Sequence, residues 1–321
     1  MKNKIILIAG DPNSINSEII YKSFRKLKKS QKNKIYLIGN YDLISQQFKK
    51  LKYNFKLRKV INIKESCDGN FLKVIDINLK FKNPFKVKKN EASKYILKSL
   101  NLAHNIAIKG EAAGVINCPI NKDLLKMKKI GVTEYLAKKC KINNNSEVML
   151  IHNKKISVTP ITTHIDIKNV SKSIKIKNII NKSNTIEKWF KKNFNIKPKI
   201  GILGLNPHNS EMEKKSEEKT IIIPAILKLK RKGFNVKGPL VSDSIFINDF
   251  KKFDVIIGMY HDQVLSPFKA LFKFDAMNIT LGLKYFRASP DHGTAYDIIK
   301  KNKADESSLL NCINFIHKLN R

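Results

Sequence analysis

Short runs of β-branched and other apolar residues alternate along the chain with longer stretches whose apolar residues recur at helical spacing. KIILIAG, KIYLIGN, AGVINCP, KISVTPITT, KIGILGLNP and FDVIIGMY are near-continuous apolar runs of strand length, as expected of strands buried on both faces of a parallel sheet. Between them, SEIIYKSFRKLKKS, EASKYILKSLNLAHNIAIKG, VSKSIKIKNIINKSNTIEKWFKKN and EKTIIIPAILKLKRKG read as amphipathic helices. The last two end in basic residues, and Gly233 closes the fourth. Strands alternating with helices predict an α/β fold built on a largely parallel sheet. There is no internal repeat and no Pro/Gly-rich linker, so any domain boundary is expected to be crossed by regular elements.

Ligands of open α/β sheets bind beyond the carboxyl ends of the strands, so the residues that follow each predicted strand carry the chemical argument. These are Gly10-Asp11-Pro12-Asn13, Cys118-Pro119-Ile120-Asn121-Lys122, Thr162-Thr163-His164, Asn206-Pro207-His208-Asn209 and Tyr260-His261-Asp262-Gln263. Three of the seven histidines, His164, His208 and His261, thus fall at equivalent places on one edge of the predicted sheet. Neutral imidazoles suit divalent metals, and three protein ligands leave positions open for a substrate. His104 falls inside a helical pattern, His152 in a turn and His317 near the end of a C-terminal helix, where structural roles are expected; His292, in Ser-Pro-Asp-His-Gly-Thr-Ala, is intermediate. Asp262 is a candidate acid/base group or orienting partner for His261, whereas Asp11 reads as a turn or cap residue. Lys269 and Arg287 are candidates to pair with a phosphate or a carboxylate.

Composition changes this picture little. The 321 residues are 42% hydrophobic, enough for one large or two moderate domains. The net charge of +37 comes from lysines spread along the whole chain, without an RNA-binding aromatic signature or zinc-finger spacing, so no specific nucleic-acid partner is expected. The charge is expected to draw in anionic substrates. Cys67, Cys118, Cys140 and Cys312 are far apart and form no CxxC pair, which argues for reduced, buried thiols. No apolar run reaches the roughly 18–20 residues of a membrane span. The N-terminal apolar run is about six residues long and runs straight into Gly-Asp-Pro, so it reads as a first strand, not a signal peptide, and a cytoplasmic location is expected.

GDPNSINSEI, GVINCPINK, GVTEYLA, TTHIDI, GLNPHNSE, KGPLVSDSIF, MYHDQVLSPFKALF and MNITLGLKYFRASPDHGTAYDI together resemble the 4-hydroxythreonine-4-phosphate dehydrogenase family of pyridoxal phosphate biosynthesis, in the family's order and over nearly the whole chain. The resemblance implies two α/β/α domains with a cleft between them, as in isocitrate and isopropylmalate dehydrogenases. One is expected to comprise 1–124 plus 286–321, and the other 125–285 with the metal and dimer contacts. It implies a homodimer sharing its active site, with a divalent metal (Zn, Mg or Co) on His164, His208 and His261, the third supplied by the partner subunit. Substrate contacts carry over to Thr133, Lys269, Asn278 and Arg287. Cofactor contacts are expected from Asp291, Gly293 and Thr294, with NAD or NADP as oxidant. Asp262, Lys269 and a metal-activated water are the candidate general bases. The implied substrate is a small phosphorylated hydroxy amino acid, 4-phosphohydroxy-L-threonine, oxidised to a 3-keto acid that decarboxylates to 3-amino-2-oxopropyl phosphate. A related phosphorylated hydroxy acid, such as threonate or erythronate 4-phosphate, is the alternative.

Three segments depart from the family pattern. Gly131-Val132-Thr133-Glu134 stands where the family has Gly-His-Thr-Glu, and valine can neither donate nor accept the hydrogen bond of that histidine. Asp11-Pro12-Asn13-Ser14-Ile15-Asn16-Ser17 carries fewer glycines than usual, and Glu211-Met212-Glu213-Lys214-Lys215 replaces a glycine-rich stretch after Asn-Pro-His.

Overall fold

The computed structural model describes residues 3–66, 68–128, 131–142 and 146–320; Cys67 lies outside them. The chain divides into two compact units, Met1–Cys140 with Leu283–Arg321, and Lys141–Gly282.

The first unit begins with β1 (Ile5–Ile8), β2 (Ile35–Gly39), β3 (Lys56–Val60), β4 (Phe71–Asp76) and β5 (Gly114–Asn117). The four residues of β1 are at most 1% exposed, and each such aliphatic side chain contributes about 1.5–3 kcal/mol by leaving water. The second unit supplies β6 (Val148–His152), β7 (Ser157–Pro160), β8 (Ile200–Leu203), β9 (Val236–Leu240), β10 (Val255–Gly258) and β11 (Met277–Leu281). The chain then returns to the first unit with β12 (Arg287–Pro290).

In the first unit the strand order is β3-β4-β2-β1-β5-β12, every neighbouring pair parallel. In the second it is β11-β6-β7-β10-β8-β9. There β7, β10, β8 and β9 run parallel, while β6 is antiparallel to both β7 and β11. His152, expected in a turn, is the last residue of β6, where its Nδ1 lies 2.8 Å from Ser157 Oγ across the strand pair.

The first crossing between the units falls after Cys140, not after residue 124. Leu124, Leu125, Tyr135 and Leu136 all pack into the core of the first unit, which keeps this segment with it. The return crossing comes at 282/283, three residues before the expected 285/286, because Leu283 and Tyr285 pack on the same core.

Three predicted helices are broken for local reasons. The first stretch splits at extended Leu27 and Lys28 into Asn16–Lys26 and Lys29–Lys32. Lys175 is extended (φ −138°) and Ile174 turns inward, so the third stretch becomes Val170–Ser173 and Ile176–Phe194. The fourth opens as a π-turn over Glu218–Ile222 before Ile223–Arg231. Pro224 lacks an amide hydrogen and its ring crowds the carbonyl one turn back, which favours the wider turn. Gly233 (φ +81°) ends this helix as predicted. Cys118, Cys140 and Cys312 are free and buried. Among the described residues, no helix is long and apolar enough to cross a membrane.

Candidate functional site

β7, β10 and β8 are parallel neighbours in that order, so the loops leaving their carboxyl ends share one edge of the second unit. Those loops carry His164, His261 and His208. The first two loops are tied by Ile161 N donating to Gly258 O (2.8 Å), Thr162 N to Met259 O (3.1 Å) and Thr162 Oγ1 to the same carbonyl (2.7 Å). The clasp brings the rings of His164 and His261 to 5.6 Å between centroids. His261 is half-buried at the start of helix His261–Phe272, and its Nδ1 lies 2.6 Å from Asp262 Oδ1. A carboxylate that accepts from Nδ1–H leaves the Nε2 lone pair free for a metal.

His208 follows Pro207 one strand further along and is exposed. It opens a run of positive φ, His208 49°, Asn209 57°, Ser210 49°, Glu211 44° and Met212 59°. The run ends on Glu211 and Met212, the first two residues of the Glu211–Lys215 segment where the resemblance leads one to expect glycines. Left-handed backbone costs a non-glycine residue roughly 1–2 kcal/mol, so the surrounding contacts must hold it. Among the described residues no three His, Cys, Asp or Glu side chains cluster as a metal-holding group. The donor chemistry nonetheless fits a divalent metal: two imidazoles side by side, one of them oriented by a carboxylate, and a third on the adjacent loop.

Asp262 and Lys269 lie on one face of helix His261–Phe272, two turns and about 10 Å apart along its axis. Both are exposed. Asn278 sits on β11, and its Oδ1 is buried without a hydrogen-bond partner among the described residues. Such an acceptor costs about 1–3 kcal/mol until a donor reaches it.

In the first unit, Arg287 and Thr133 come together. Arg287 is 3% exposed at the start of β12; its Nε donates to Asn117 Oδ1 (2.8 Å) and its Nη1 to Thr133 Oγ1 (3.3 Å). Burial pushes its guanidinium down to about 10, so it remains charged at neutral pH. Asn117 was not singled out from sequence, although it ends the third predicted strand inside GVINCPINK. Val132, the departure from Gly-His-Thr-Glu, packs partly buried against the apolar core of this unit.

Asp11 makes the turn expected of it, accepting from Asn13 N at 2.8 Å, and is 2% exposed. It also accepts from Tyr296 OH (3.2 Å) and Asn121 N (3.4 Å), while Asn121 Nδ2 donates to Tyr296 OH (2.6 Å). Burial raises the Asp11 carboxyl above its ordinary value despite these donors. Side-chain hydrogen bonds hold this turn: Asn13 and Val87 exchange two, 2.7 and 2.9 Å, and Asn16 Nδ2 reaches Pro119 O at 2.8 Å. The expected cofactor residues lie on the loop after β12. Thr294 O accepts from Ile15 N (3.2 Å), and Asp291 N is held 2.9 Å from Ser308 Oγ. Gly293 has open space where a Cβ would stand, so it leaves room beside this loop.

The sequence model of the family described as pyridoxal phosphate biosynthetic protein PdxA matches residues 31–316. The chain belongs to this family. It is 40% identical over 324 residues to the 4-hydroxythreonine-4-phosphate dehydrogenase of Aquifex aeolicus, covering 99% of each chain. It is similar to the crystal structure of the 4-hydroxythreonine-4-phosphate dehydrogenase of Klebsiella pneumoniae, with a TM-score of 0.87 at 27% identity over 100% of this chain and 99% of the other. The isocitrate dehydrogenase of Methylococcus capsulatus shares the fold, with a TM-score of 0.50 at 10% identity over 98% of this chain and 85% of the other. The α/β fold of the isocitrate dehydrogenase type is thus the fold of this PdxA family member.

Proposed function

We propose that this chain is a metal-dependent, NAD(P)-linked 4-hydroxythreonine-4-phosphate dehydrogenase. It oxidises 4-phosphohydroxy-L-threonine to a 3-keto acid that decarboxylates to 3-amino-2-oxopropyl phosphate. The observation that carries this reading is the likeness, at 40% identity over 99% of both chains, to a relative of that name, beside three histidines at the strand ends of this chain.

His164, His208 and His261 would hold the metal, and Asp262 fixes the tautomer of His261. A bound divalent metal supplies a Lewis acid that lowers the pKa of the substrate hydroxyl. The nicotinamide supplies the hydride acceptor, and Asp291, Gly293 and Thr294 would flank it. Arg287, steadied by Asn117, and Thr133 hold an anionic group of the substrate. The amide of Asn278 binds substrate through an acceptor that lacks a partner among the described residues. Asp262 or Lys269 takes the hydroxyl proton. The protein works as a homodimer in the cytoplasm, and the wide excess of lysine draws the anionic substrate in.

Val132 favours a second reading, a related phospho-hydroxyacid such as threonate 4-phosphate. Its side chain is committed to the core and offers no hydrogen bond to a substrate amine. One assay separates the two: reduced nicotinamide formed by purified protein with added divalent metal and either 4-phosphohydroxy-L-threonine or threonate 4-phosphate. Chelator-sensitive turnover on the first supports the main reading. Turnover on the second alone overturns it in favour of the other acid, and silence on both overturns both.

A further inference from the structure

In the first unit, β1, β5 and β12 are parallel neighbours in that order, so the loops that follow them leave one edge of its sheet. Ligands of open α/β sheets bind beyond such an edge. One polar side chain from each loop meets the others there: Asp11, Asn121 and Tyr296. The Tyr296 hydroxyl donates to Asp11 Oδ2 (3.2 Å) and accepts from Asn121 Nδ2 (2.6 Å). Asn121 is itself fixed, its Oδ1 accepting from Asp123 N at 2.9 Å. Backbone bonds tie the same loops, Asp11 N donating to Pro119 O (3.0 Å) and Ile15 N to Thr294 O (3.2 Å).

Tyr296 differs from the residues that hold it. Asp11 is 2% exposed, whereas Tyr296 is 49% exposed. Burial, with the charge of Asp11 beside it, raises the phenol above its ordinary value, so it stays a donor at neutral pH. The residue before it, Ala295, is left-handed (φ 47°, ψ 58°), a backbone that residues other than glycine seldom adopt. Gly293 on the same loop has open space where a Cβ would stand. A tyrosine that served only the fold would gain most by turning its ring into the core. Here the hydroxyl is fixed and half of the side chain stays in water.

We propose that Tyr296 is a stacking platform for a planar ring of the nicotinamide dinucleotide, with Asp11 and Asn121 as positioning residues that hold it still. This rests on the NAD(P) reading above, and it adds to Asp291, Gly293 and Thr294 a contact that recognises a ring. An aromatic face attracts flat heteroaromatic rings through dispersion and offset stacking. A side chain already held at its hydroxyl loses little freedom when a ligand lies on it. Adenine and nicotinamide share this chemistry, and the choice of ligands separates them.

The test is binding of NADH, NADPH and ADP-ribose, read by calorimetry and by the fluorescence of the reduced nicotinamide, to wild type, Tyr296→Ala, Tyr296→Leu and Tyr296→Phe. Each protein is first shown to be folded by near-ultraviolet circular dichroism at the assay temperature. Tyr296→Ala should bind the preferred reduced dinucleotide about 5–150-fold more weakly, the range of a lost base–aromatic stack. A parallel loss for ADP-ribose assigns the stack to adenine, and unchanged affinity for ADP-ribose assigns it to nicotinamide. Tyr296→Phe keeps the ring without its anchor and should fall between wild type and Tyr296→Ala; wild-type binding by Tyr296→Phe overturns the positioning role of Asp11 and Asn121. A folded Tyr296→Ala with wild-type affinity overturns the inference while leaving the NAD(P) reading in place. If that variant does not fold, Tyr296→Leu decides, being bulky and apolar but without a ring face: binding weaker than that of Tyr296→Phe supports the stack, and wild-type binding overturns it. Wild type that binds neither NADH nor NADPH overturns the NAD(P) reading, and the inference with it.

Discussion

Replacing Arg287 by methionine tests the idea that the first unit stores a charged group for an anion. The guanidinium is buried, and its bonds to Asn117 and Thr133 end on neutral oxygens. The drop to a pKa of about 10 caused by burial corresponds to ~3 kcal/mol of unfavourable charging. Arg287→Met removes that cost but orphans the buried Asn117 Oδ1, at about 1–3 kcal/mol. The two terms nearly offset, so the ligand-free variant should lie within ~2 kcal/mol of wild type. Asn117→Leu does the reverse, keeping the charge and deleting an acceptor, and should cost more than Arg287→Met. At about 2–4 °C per kcal/mol for a unit of this size, thermal unfolding resolves the difference. The pH sign follows from the lowered pKa. The charging cost is present throughout below pH 10 and is shed as pH rises past about 10, where the folded state loses its proton before the unfolded chain does, so wild type should gain on Arg287→Met above that pH. A phosphorylated substrate should raise the melting temperature of wild type and leave Arg287→Met unmoved. The reasoning is refuted if Arg287→Met is destabilised well beyond Asn117→Leu, or if substrate stabilises both proteins equally.

Further outcomes are expected elsewhere. His164→Ala should abolish chelator-sensitive turnover, and intact turnover in that variant would end the metal mechanism. Glu211→Gly should raise thermal stability by up to ~1 kcal/mol, because glycine takes φ 44° without the left-handed penalty; a lower melting temperature would show that the Glu211 side chain supports the loop. Asp11→Asn should gain stability relative to wild type as pH rises from below 3.8 toward neutrality. Burial has raised the Asp11 carboxyl, so its charge is a cost absent at low pH and complete above the folded-state pKa. Parallel stability–pH curves for the two proteins would refute that account.

The apolar strands were legible because burial on both faces leaves an unbroken run of Ile, Val and Leu, as in β1, β2 and β10. Of the strands that went unread, β6 (VMLIH) is a short apolar run, and the others carry polar residues inside the run. β3 is an edge strand, KLRKV, with three exposed positions. β4 holds Lys73 buried within FLKVID, and β12 is RASP with Arg287 turned inward. Each is a strand by virtue of its neighbours, which no local period records. The site shows the same division. That three histidines share an edge follows from strand order alone, but the meeting of Thr133, Asn117 and Arg287 joins residues far apart in the chain. Nothing at position 117 marks it in sequence except its place at a strand end.

The departures from the family pattern are explained by the same physics. In the two segments where the resemblance leads one to expect glycines, side-chain hydrogen bonds hold the backbone of this chain. The Asp11–Ser17 turn is held by the amides of Asn13 and Asn16, and the His208 loop by Glu218 and Gln263. A glycine loop leaves a bound group to choose the backbone conformation, whereas an amide-clasped loop has chosen it before anything binds. The substitution exchanges adaptability for preorganisation, at the cost of left-handed strain from His208 to Met212. It follows that these clasping side chains should be hard to replace, and that a Gly introduced at Glu211 relaxes strain without replacing the contacts of Glu218 and Gln263.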